Sequence, residues 1–432
     1  MHQIKNILTM LMGMILLLSC ARDYKAMIPD KCTALAVVRP MQMSQHADIS
    51  ALGRLLNTSQ LADCGLDIGS PLYAFETADG LFGLVARVSS KADATRWLTT
   101  VSSSQKERRG YLFATIGDGF LAALGDDACL LMGPALSSGL PALQQRMIRC
   151  LENDADASEG TTAQLFALIE RTPDDAPIAI AATAAALPQQ LAPLVTLGNP
   201  EAAVTATISK TDSVLTITST VSAIDGTLPD ALADSIARFR PIEGTYGALA
   251  TDSTVAALFM NTDGETLLNL FRATGPLQML LAGTNRIIDM DNIIRAIDGE
   301  TAIAITSFST LTPAFRINAK IAHADFLSDI DYWKLSCPLG SAIINEGPDA
   351  YIFSSPTANC HFGVDALHSE FYAYTSQFPL TATPVNTGMA GHRLCLVASR
   401  KALEQQDAIG QTVLNLITPL LGNAKTLVWY ME

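Results

Sequence analysis

Phe82-Gly-Leu-Val-Ala-Arg-Val88 recurs as Phe315-Arg-Ile-Asn-Ala-Lys-Ile321. Phenylalanine, aliphatic, alanine, basic and aliphatic residues stand at matching places, at an offset of 233. Each copy leads into a helical stretch ending in a tryptophan, Trp97 or Trp333. Internal repetition decides what one folding unit is, so it is read before any local pattern. Further along, Gly117-Asp-Gly-Phe-Leu121 matches Pro348-Asp-Ala-Tyr-Ile352, and the same offset of 231 places Cys129 on Cys360. A third match sets Ala182 to Gln190 against Ala398 to Gln406, with Ile178 to Thr183 falling on Leu394 to Ser399. Its offset is 216, so the first copy carries about 15 more residues in between, near the acidic, polar stretch Glu152 to Gly160. That stretch lacks apolar periodicity and reads as a loop. Two tandem modules are expected, 27–225 and 226–432, meeting near Ile224-Asp-Gly-Thr-Leu-Pro229.

Within each module, short β-rich runs alternate with helical ones. In the first, Ala34 to Val38, Leu72 to Glu76, Leu81 to Val88, Tyr111 to Ile116, Phe120 to Leu124 and Cys129 to Met132 have the length and composition of strands. Ala203 to Ser209 and Val214 to Ser222 form the clearest hairpin. Lys91 to Val101, Leu140 to Leu151, Ala163 to Ile169 and Ala185 to Leu191 read as helices, the first with Ser90 and Asp93 at capping spacing. The second module continues through Thr301 to Ile305, Ala314 to Ile321, Tyr351 to Ser354, His361 to Val364, Glu370 to Tyr374, Arg393 to Ala398 and Thr426 to Tyr430. Many connections are shorter than a parallel crossover requires. The expected fold class is therefore α+β: two tandem repeats, each a mostly antiparallel sheet with helices packed on one face.

The N-terminus carries Lys5, the apolar run Ile7 to Leu18, then Ser19 and Cys20. This order of charge, apolar stretch and small residue is that of an export signal. The run is too short for a transmembrane helix, which needs roughly 20 residues. Leu17-Leu-Ser-Cys20 resembles the bacterial lipobox, which implies cleavage after residue 19 and lipid attachment at Cys20, with 20–26 as a tether. Acyl chains contribute about 0.8 kcal/mol per buried CH₂, so two of them hold a protein at a membrane. The uncharged stretch Pro177 to Pro200 is broken by Pro188-Gln-Gln190 and reads as strand, turn and helix rather than a span.

The formal charge is −14 with charged residues at 16%, against roughly 25% in an average globular protein. No basic run extends beyond Lys106 to Arg109, which argues against nucleic acid as a partner. Besides Cys20 the chain has Cys32, Cys64, Cys129, Cys150, Cys337, Cys360 and Cys395, without CxxC spacing. They read as small buried hydrophobes rather than a disulfide framework.

Sequence motifs with a definite mechanism, such as GxSxG, HExxH, a phosphate-binding loop or GxGxxG opening a helix, are absent. The histidines after the signal are His46, His323, His361, His368 and His392. His361, Asp365 and His368 lack the close pairing usual for zinc and read as hairpin residues. Asp154, Asp156 and Ser158 imitate the start of a calcium loop, but Glu159 and Leu165 stand where glycine and a closing glutamate belong. Asp289, Asp291, Asp298 and Glu300 offer paired carboxylates of the kind used in acid–base work. Beside Ile293, Ile294 and Ile297 they read more simply as the solvated side and ends of a helix. The pairs Gln189-Gln190 and Gln405-Gln406 are expected to face solvent on equivalent helices. No cofactor, metal or catalytic residue is assigned.

The lipobox, the entry segment Ile28 to Arg39 and the duplicated module resemble large lipoproteins of the Bacteroides type. That resemblance implies a β-strand followed by a short amphipathic helix, here Ile49 to Leu56, and an envelope location, without implying a reaction. Ala21 follows Cys20 in place of an inner-membrane retention aspartate, which favours the outer membrane facing the periplasm. Two functional readings follow. The leading one is a non-enzymatic binding or scaffolding protein, tethered to the membrane through Cys20, whose partner is an envelope protein, glycan or lipid. The alternative is a periplasmic hydrolase using carboxylates or histidines of the second module. A partner groove is expected where the modules meet, lined by apolar, hydroxyl and amide groups.

Overall fold

The computed structural model describes residues 23–46, 61–117, 119–152, 160–189, 192–211, 213–285, 288–307, 314–356, 359–379, 383–385, 387–406 and 424–432. Cys20 and the signal, the helix expected at Ile49 to Leu56, and the acidic loop of Asp154, Asp156 and Ser158 lie outside these residues. The chain gathers into two compact units, Met1–Met41 with Leu56–Phe166, and Gln42–Leu55 with Ala167–Glu432. The module boundary expected at 225/226 thus falls inside the second unit.

In the first unit the strands are β1 (Cys32–Val38), β2 (Leu72–Thr77), β3 (Phe82–Arg87), β4 (Ser102–Arg108), β5 (Tyr111–Ile116), β6 (Phe120–Leu124) and β7 (Ala128–Gly133). They pair in the order β1-β2-β3-β7-β6-β5-β4, every neighbour antiparallel. Helix α1 (Pro40–His46) follows β1. Arg109 and Gly110 join β4 to β5 with positive φ of 51° and 79°, the pair of left-handed residues that a type I′ hairpin requires. Helix α2 (Lys91–Val101) begins as its capping spacing predicts: the Asp93 amide donates to Ser90 Oγ at 3.3 Å, and Ala94 and Leu98 are buried. Helix α3 (Leu140–Glu152) buries Leu143, Met147, Ile148 and Leu151, and α4 (Gly160–Ile169) contains the division between the units, after Phe166.

One glycine in this sheet is dictated by packing. Gly83 stands opposite Phe75, and a Cβ placed on it would lie 2.0 Å from that ring. Phe75 is itself buried, so it cannot swing clear into solvent. Gly83→Ala is expected to destabilise by about 1–3 kcal/mol through overpacking. A lower urea midpoint is the measurement; an unchanged midpoint would mean that the sheet absorbs the methyl freely.

The second unit contains β8 (Ile178–Thr183), β9 (Ala203–Thr211), β10 (Val214–Ser222), β11 (Ala256–Asp263), β12 (Ile297–Ser307), β13 (Ala314–Ile321), β14 (Ala342–Gly347), β15 (Ala350–Ser354), β16 (Asn359–Asp365), β17 (Glu370–Thr375), β18 (Leu394–Ser399) and β19 (Thr426–Met431). Their order is β8-β9-β10-β19-β18-β11-β12-β13-β17-β16-β15-β14. All pairs are antiparallel except β10 with β19, which is parallel and joins segments far apart in sequence. The helices are α5 (Ala192–Val195), α6 (Asp230–Ala237), α7 (Gly264–Ala273), α8 (Gly275–Thr284), α9 (Met290–Arg295), α10 (Ile330–Leu335) and α11 (Arg400–Glu404).

Alternation along the strands divides this sheet into two faces. Met260, Ala319, Phe362, Val364, Phe371 and Ala373 point to one, where they pack with Leu267, Leu268, Ile293, Ile294, Phe326 and Trp333 from the helical segments. Phe259, Ala302, Ala304, Cys395 and Val397 point to the other, covered by Ile242, Tyr246, Ala250, Phe378 and Met389 from connecting segments. The fold is α+β with mostly antiparallel pairing, and α7, α9 and α10 pack on one face of this sheet.

Ile178–Thr183 and Leu394–Ser399 fall on β8 and β18, each antiparallel to the strand that follows it in this unit. The cysteine match does not hold. Cys129 lies on β7 opposite Ala86, whereas Cys360 lies on β16 between Phe353 and Thr375. The residue opposite Ala319, the counterpart of Ala86 at an offset of 233, is Phe371. The reason is length: β13 reaches β14 over 322–341, whereas β3 reaches β4 over 88–101, so a constant offset slips onto the neighbouring strand.

Other expectations also need correction. Ala185 to Leu191 is not one helix: a 3₁₀ turn at Ala184–Ala186 precedes Pro188, and α5 starts only at Ala192. Pro188 lacks an amide hydrogen and disfavours a helical residue before it. Gln189 is exposed and outside a helix, and Gln190 lies outside the described residues. Gln405 is exposed just past α11, but Gln406 turns inward and donates from Nε2 to the carbonyls of Thr306 and Ala402, both at 3.3 Å. Cys32, Cys64, Cys129 and Cys395 are buried and unbridged. Burial pushes the Cys129 and Cys395 thiols up to about 12, which keeps them protonated. Among the described residues, no helix is long and apolar enough to cross a membrane.

Candidate functional site

Two places in the second unit gather polar side chains: a face of the β13-β17-β16 sheet and a pocket between α6 and α7. On the sheet, cross-strand register builds three rungs. Arg316, Tyr374 and His361 form the first, Asn318, Tyr372 and Gly363 the second, and Lys320, Glu370 and Asp365 the third. His361 stacks on Tyr374 with ring centroids 4.9 Å apart and planes 12° from parallel. The Arg316 guanidinium lies 5.5 Å from the Tyr374 ring centroid and donates from Nε to Asn318 Oδ1 at 2.8 Å. Asn318 Nδ2 in turn donates to Glu370 Oε1, and Lys320 Nζ donates to the His368 carbonyl at 3.0 Å. Gly363 is required beneath Tyr372: a Cβ there would meet the Asp349 carbonyl oxygen at 2.3 Å and the Tyr372 hydroxyl at 2.8 Å.

His361 is held at both nitrogens. Its Nδ1 is 2.7 Å from Glu346 Oε2, and its Nε2 is 3.3 Å from Ser376 Oγ. In the tautomer that satisfies both contacts, Nδ1–H donates to the carboxylate and Nε2 accepts from the hydroxyl. Hydroxyl, imidazole and carboxylate in that sequence are the arrangement by which serine hydrolases activate a nucleophile. The Ser376 amide donates to the Asn359 carbonyl at 3.1 Å, so it does not serve as an oxyanion donor.

The remaining histidines and carboxylates do not join this chain. His368 Nδ1 meets Asp365 Oδ2 at 2.7 Å on an exposed turn, and that contact holds the Asp365 carboxyl below the usual range. Asp365 is four residues from His361 along β16, about 13 Å at the strand rise of about 3.3 Å. His392 stacks on Tyr430 at 4.1 Å, beside β18, five strands from β16. His323 lies 3.5 Å from Asp325, and His46 is on α1. Among the described residues, no group of three or more His, Cys, Asp or Glu could hold a metal ion.

Asp289 and Asp291 are where a helix end and surface would put them, whereas Asp298 is exposed but stands on β12. Asp289 caps α9 by accepting from the Asn292 amide at 3.0 Å, Asp291 accepts from Asn285 and Arg272, and Asp298 pairs with Arg240 at 2.8 Å. Hydrogen bonds from Asn285 and Arg272 hold the Asp291 carboxyl down against the upward push of its burial. Glu300 contradicts its expected solvated position. It lies on β12, 5% exposed, and accepts from the amides of Glu243 at 2.6 Å, Gly244 at 2.7 Å and Thr245 at 3.0 Å. The helix ends at Arg295, so the strand period and not the helical one sets its direction.

The pocket, of about 250 Å³, is lined by three segments of the second unit. Thr266, Asn269, Leu270 and Ala273 are one stripe of α7, and Ser235, Arg238 and Phe239 follow the same helical spacing at the end of α6. Leu197 and Gly198 close it after α5, with Leu197 at φ 53°, a left-handed conformation rare for a bulky residue. Phe239 and Leu270 form its buried floor, packed with Leu232, Leu394, Trp429 and Met431. Asp263 caps α7, accepting from the Thr266 amide at 2.9 Å and hydroxyl at 2.8 Å. Burial pushes the Asp263 carboxyl up, but these bonds and the positive Arg238 bring it below its ordinary value. The pocket's residues come from both sides of the 225/226 boundary, yet all lie in one compact unit. Sequence reading did not single out Arg238, Asn269 or Ser376, because only register and helix packing place them.

Compared with known proteins, the chain matches no family model and no curated protein. Among solved structures it is similar to TP0453 in two crystal forms. Form IV has a TM-score of 0.30 at 9% identity, covering 45% of this chain and 77% of that one. Form I has a TM-score of 0.25 at 9% identity, covering 82% and 93%. These likenesses are too slight to carry an argument about fold or function.

Proposed function

We propose that this chain is a lipid-anchored envelope protein, non-enzymatic, that binds a small or extended partner in the α6–α7 pocket and is built from two copies of one module. Duplication is supported by strand order. The sequence β1-β2-β3-β7-β6-β5-β4 in the first unit has the same connectivity as β11-β12-β13-β17-β16-β15-β14 in the second. The observation that carries the binding reading is the contrast between the two polar sites. On the sheet face, Arg316, Asn318 and Glu370 are engaged with one another and His361 with Glu346 and Ser376, which rigidifies a surface. In the pocket, Arg238 makes no ion pair among the described residues, and a polar rim surrounds an apolar floor, which is the composition of a ligand site.

Anchoring is tested at its own residue. The wild-type protein is expected in the detergent phase of a partitioning assay, at the outer membrane, and Cys20→Ala is expected to move it out of that phase. Unchanged partitioning would refute lipid attachment at Cys20.

A second reading, a serine-type hydrolase, is favoured by the Ser376–His361–Glu346 chain. It predicts that a fluorophosphonate probe labels Ser376 and that His361→Ala abolishes labelling. Absence of labelling on the intact protein would remove this reading and leave the binding one.

A further inference from the structure

We infer that the α6–α7 pocket takes a carboxylate carried on a short apolar body, with Arg238 as the anion's partner. The inference rests on the binding reading above and names the chemistry of its ligand. Size comes first: at about 30 Å³ per water, 250 Å³ has room for roughly eight water-sized groups. That admits a small molecule or the end of a larger one.

Next comes the balance of donors and acceptors around the rim. The Ser235 hydroxyl already donates to the Ala231 carbonyl at 2.9 Å, and the Thr266 hydroxyl donates to Asp263. Neither has its hydrogen to offer. Arg238 and Asn269 are exposed at the pocket, and neither side chain has a hydrogen-bond partner among the described residues. Of the nearby acids, Asp263 accepts from Thr266 and feels the charge of Arg238, Glu265 pairs with Arg295 at 2.8 Å, and Asp234, one turn before Arg238 on α6, forms no ion pair with it. The rim therefore offers donors that no protein acceptor holds by a hydrogen bond among the described residues, and a ligand's acceptor can take them. A guanidinium matches the two oxygens of a carboxylate in a planar fork, and the Asn269 amide can reinforce it.

The floor decides what carries that anion. Phe239, Leu270 and the Leu197 side chain present hydrocarbon where an inorganic anion would find no partner. An aliphatic tail gains by leaving water there. Shape adds to this, because Leu197 and Gly198 both hold left-handed backbone, φ 53° and 79°, where the chain forms the pocket wall.

The test is calorimetric titration of the intact lipoprotein in detergent with hexanoate, N-acetyl-leucine, hexanol and inorganic phosphate. Hexanoate or N-acetyl-leucine is expected to bind more tightly than hexanol, and phosphate not to bind. Arg238→Gln should weaken the carboxylate at least tenfold and leave hexanol unchanged, and Ala273→Trp, which fills the pocket from an exposed position, should abolish both. Which carboxylate binds more tightly tells an acyl chain from a peptide end. Carboxylates that bind no better than hexanol, or a binding constant indifferent to Arg238→Gln, would overturn the anion assignment while leaving the pocket a binding site. Failure of every probe, or binding that survives Ala273→Trp, would overturn the pocket itself.

Discussion

Trp333→Ala is expected to destabilise the second unit by about 3–5 kcal/mol, the range for truncating a fully buried large aromatic. Trp333 is 1% exposed and sits in the cluster with Phe326, Leu267, Ile321, Ile343, Tyr351 and Phe362. Its helix, α10, has six residues, far below the length at which an isolated helix holds together in water. The indole therefore anchors the helix as well as filling the core. On α10 only the partly buried Ile330 shares the task among the apolar neighbours, since Tyr332 and Leu335 are exposed. Circular dichroism in urea should show the loss as an earlier transition, and Trp333→Phe should recover part of it. A loss under about 1 kcal/mol would mean that the cluster closes over the cavity, contrary to close packing in protein cores.

What the sequence made legible, and what it hid, follows from where each element meets solvent. β5, β9, β10 and β13 alternate or run apolar because they are covered on at least one face, and their expected limits agree with the structure to within two residues. β4 reads Ser-Ser-Ser-Gln-Lys-Glu-Arg and gave no strand signal. It pairs with β5 alone and is exposed almost throughout, so nothing apolar marks it. Charged residues at such an edge discourage further pairing, which is a reason for this composition. β14, Ala-Ile-Ile-Asn-Glu-Gly, is an edge of the second unit's sheet; only its first half is apolar and only Ile343 is buried, too short a run to mark a strand.

The candidate sites were less legible than the strands. Glu346, His361 and Ser376 lie on three segments that only β14-β15-β16-β17 register brings together. Composition cannot convey register: one residue of slip would turn His361 to the apolar face. The pocket draws on residues from 197 to 273, and its polar groups look like ordinary helix surface in sequence. Low charge overall did suggest hydroxyl and amide linings, but it gave no hint of a lone arginine at the rim.

Glu300→Ala is expected to cost at least about 3 kcal/mol, although it deletes no large apolar group. The carboxylate lies buried against three backbone amides in succession, Glu243, Gly244 and Thr245, and accepts from each. Leaving one buried donor without a partner costs about 1–3 kcal/mol, more when the lost partner was charged. Three donors lose their acceptor at once. That segment carries Ile242 and Tyr246 into the core on the loop-covered face of the sheet, so opening it also uncovers Phe259, Ala302 and Ala304. Asn261, opposite Glu300 on β11, donates from Nδ2 to the Pro241 carbonyl at 2.9 Å, and its buried Oδ1 has no hydrogen-bond partner among the described residues. Glu300→Gln separates charge from shape: its oxygen can accept from Glu243 and Gly244, while its NH₂ would face the Thr245 amide. It should therefore lose less than the alanine variant and more than nothing. Hydrogen exchange is the direct measurement, with faster exchange confined to 242–250 and their partners in Glu300→Ala. Exchange there at the wild-type rate would mean that the three amides find other acceptors, and that Glu300 does not hold the segment.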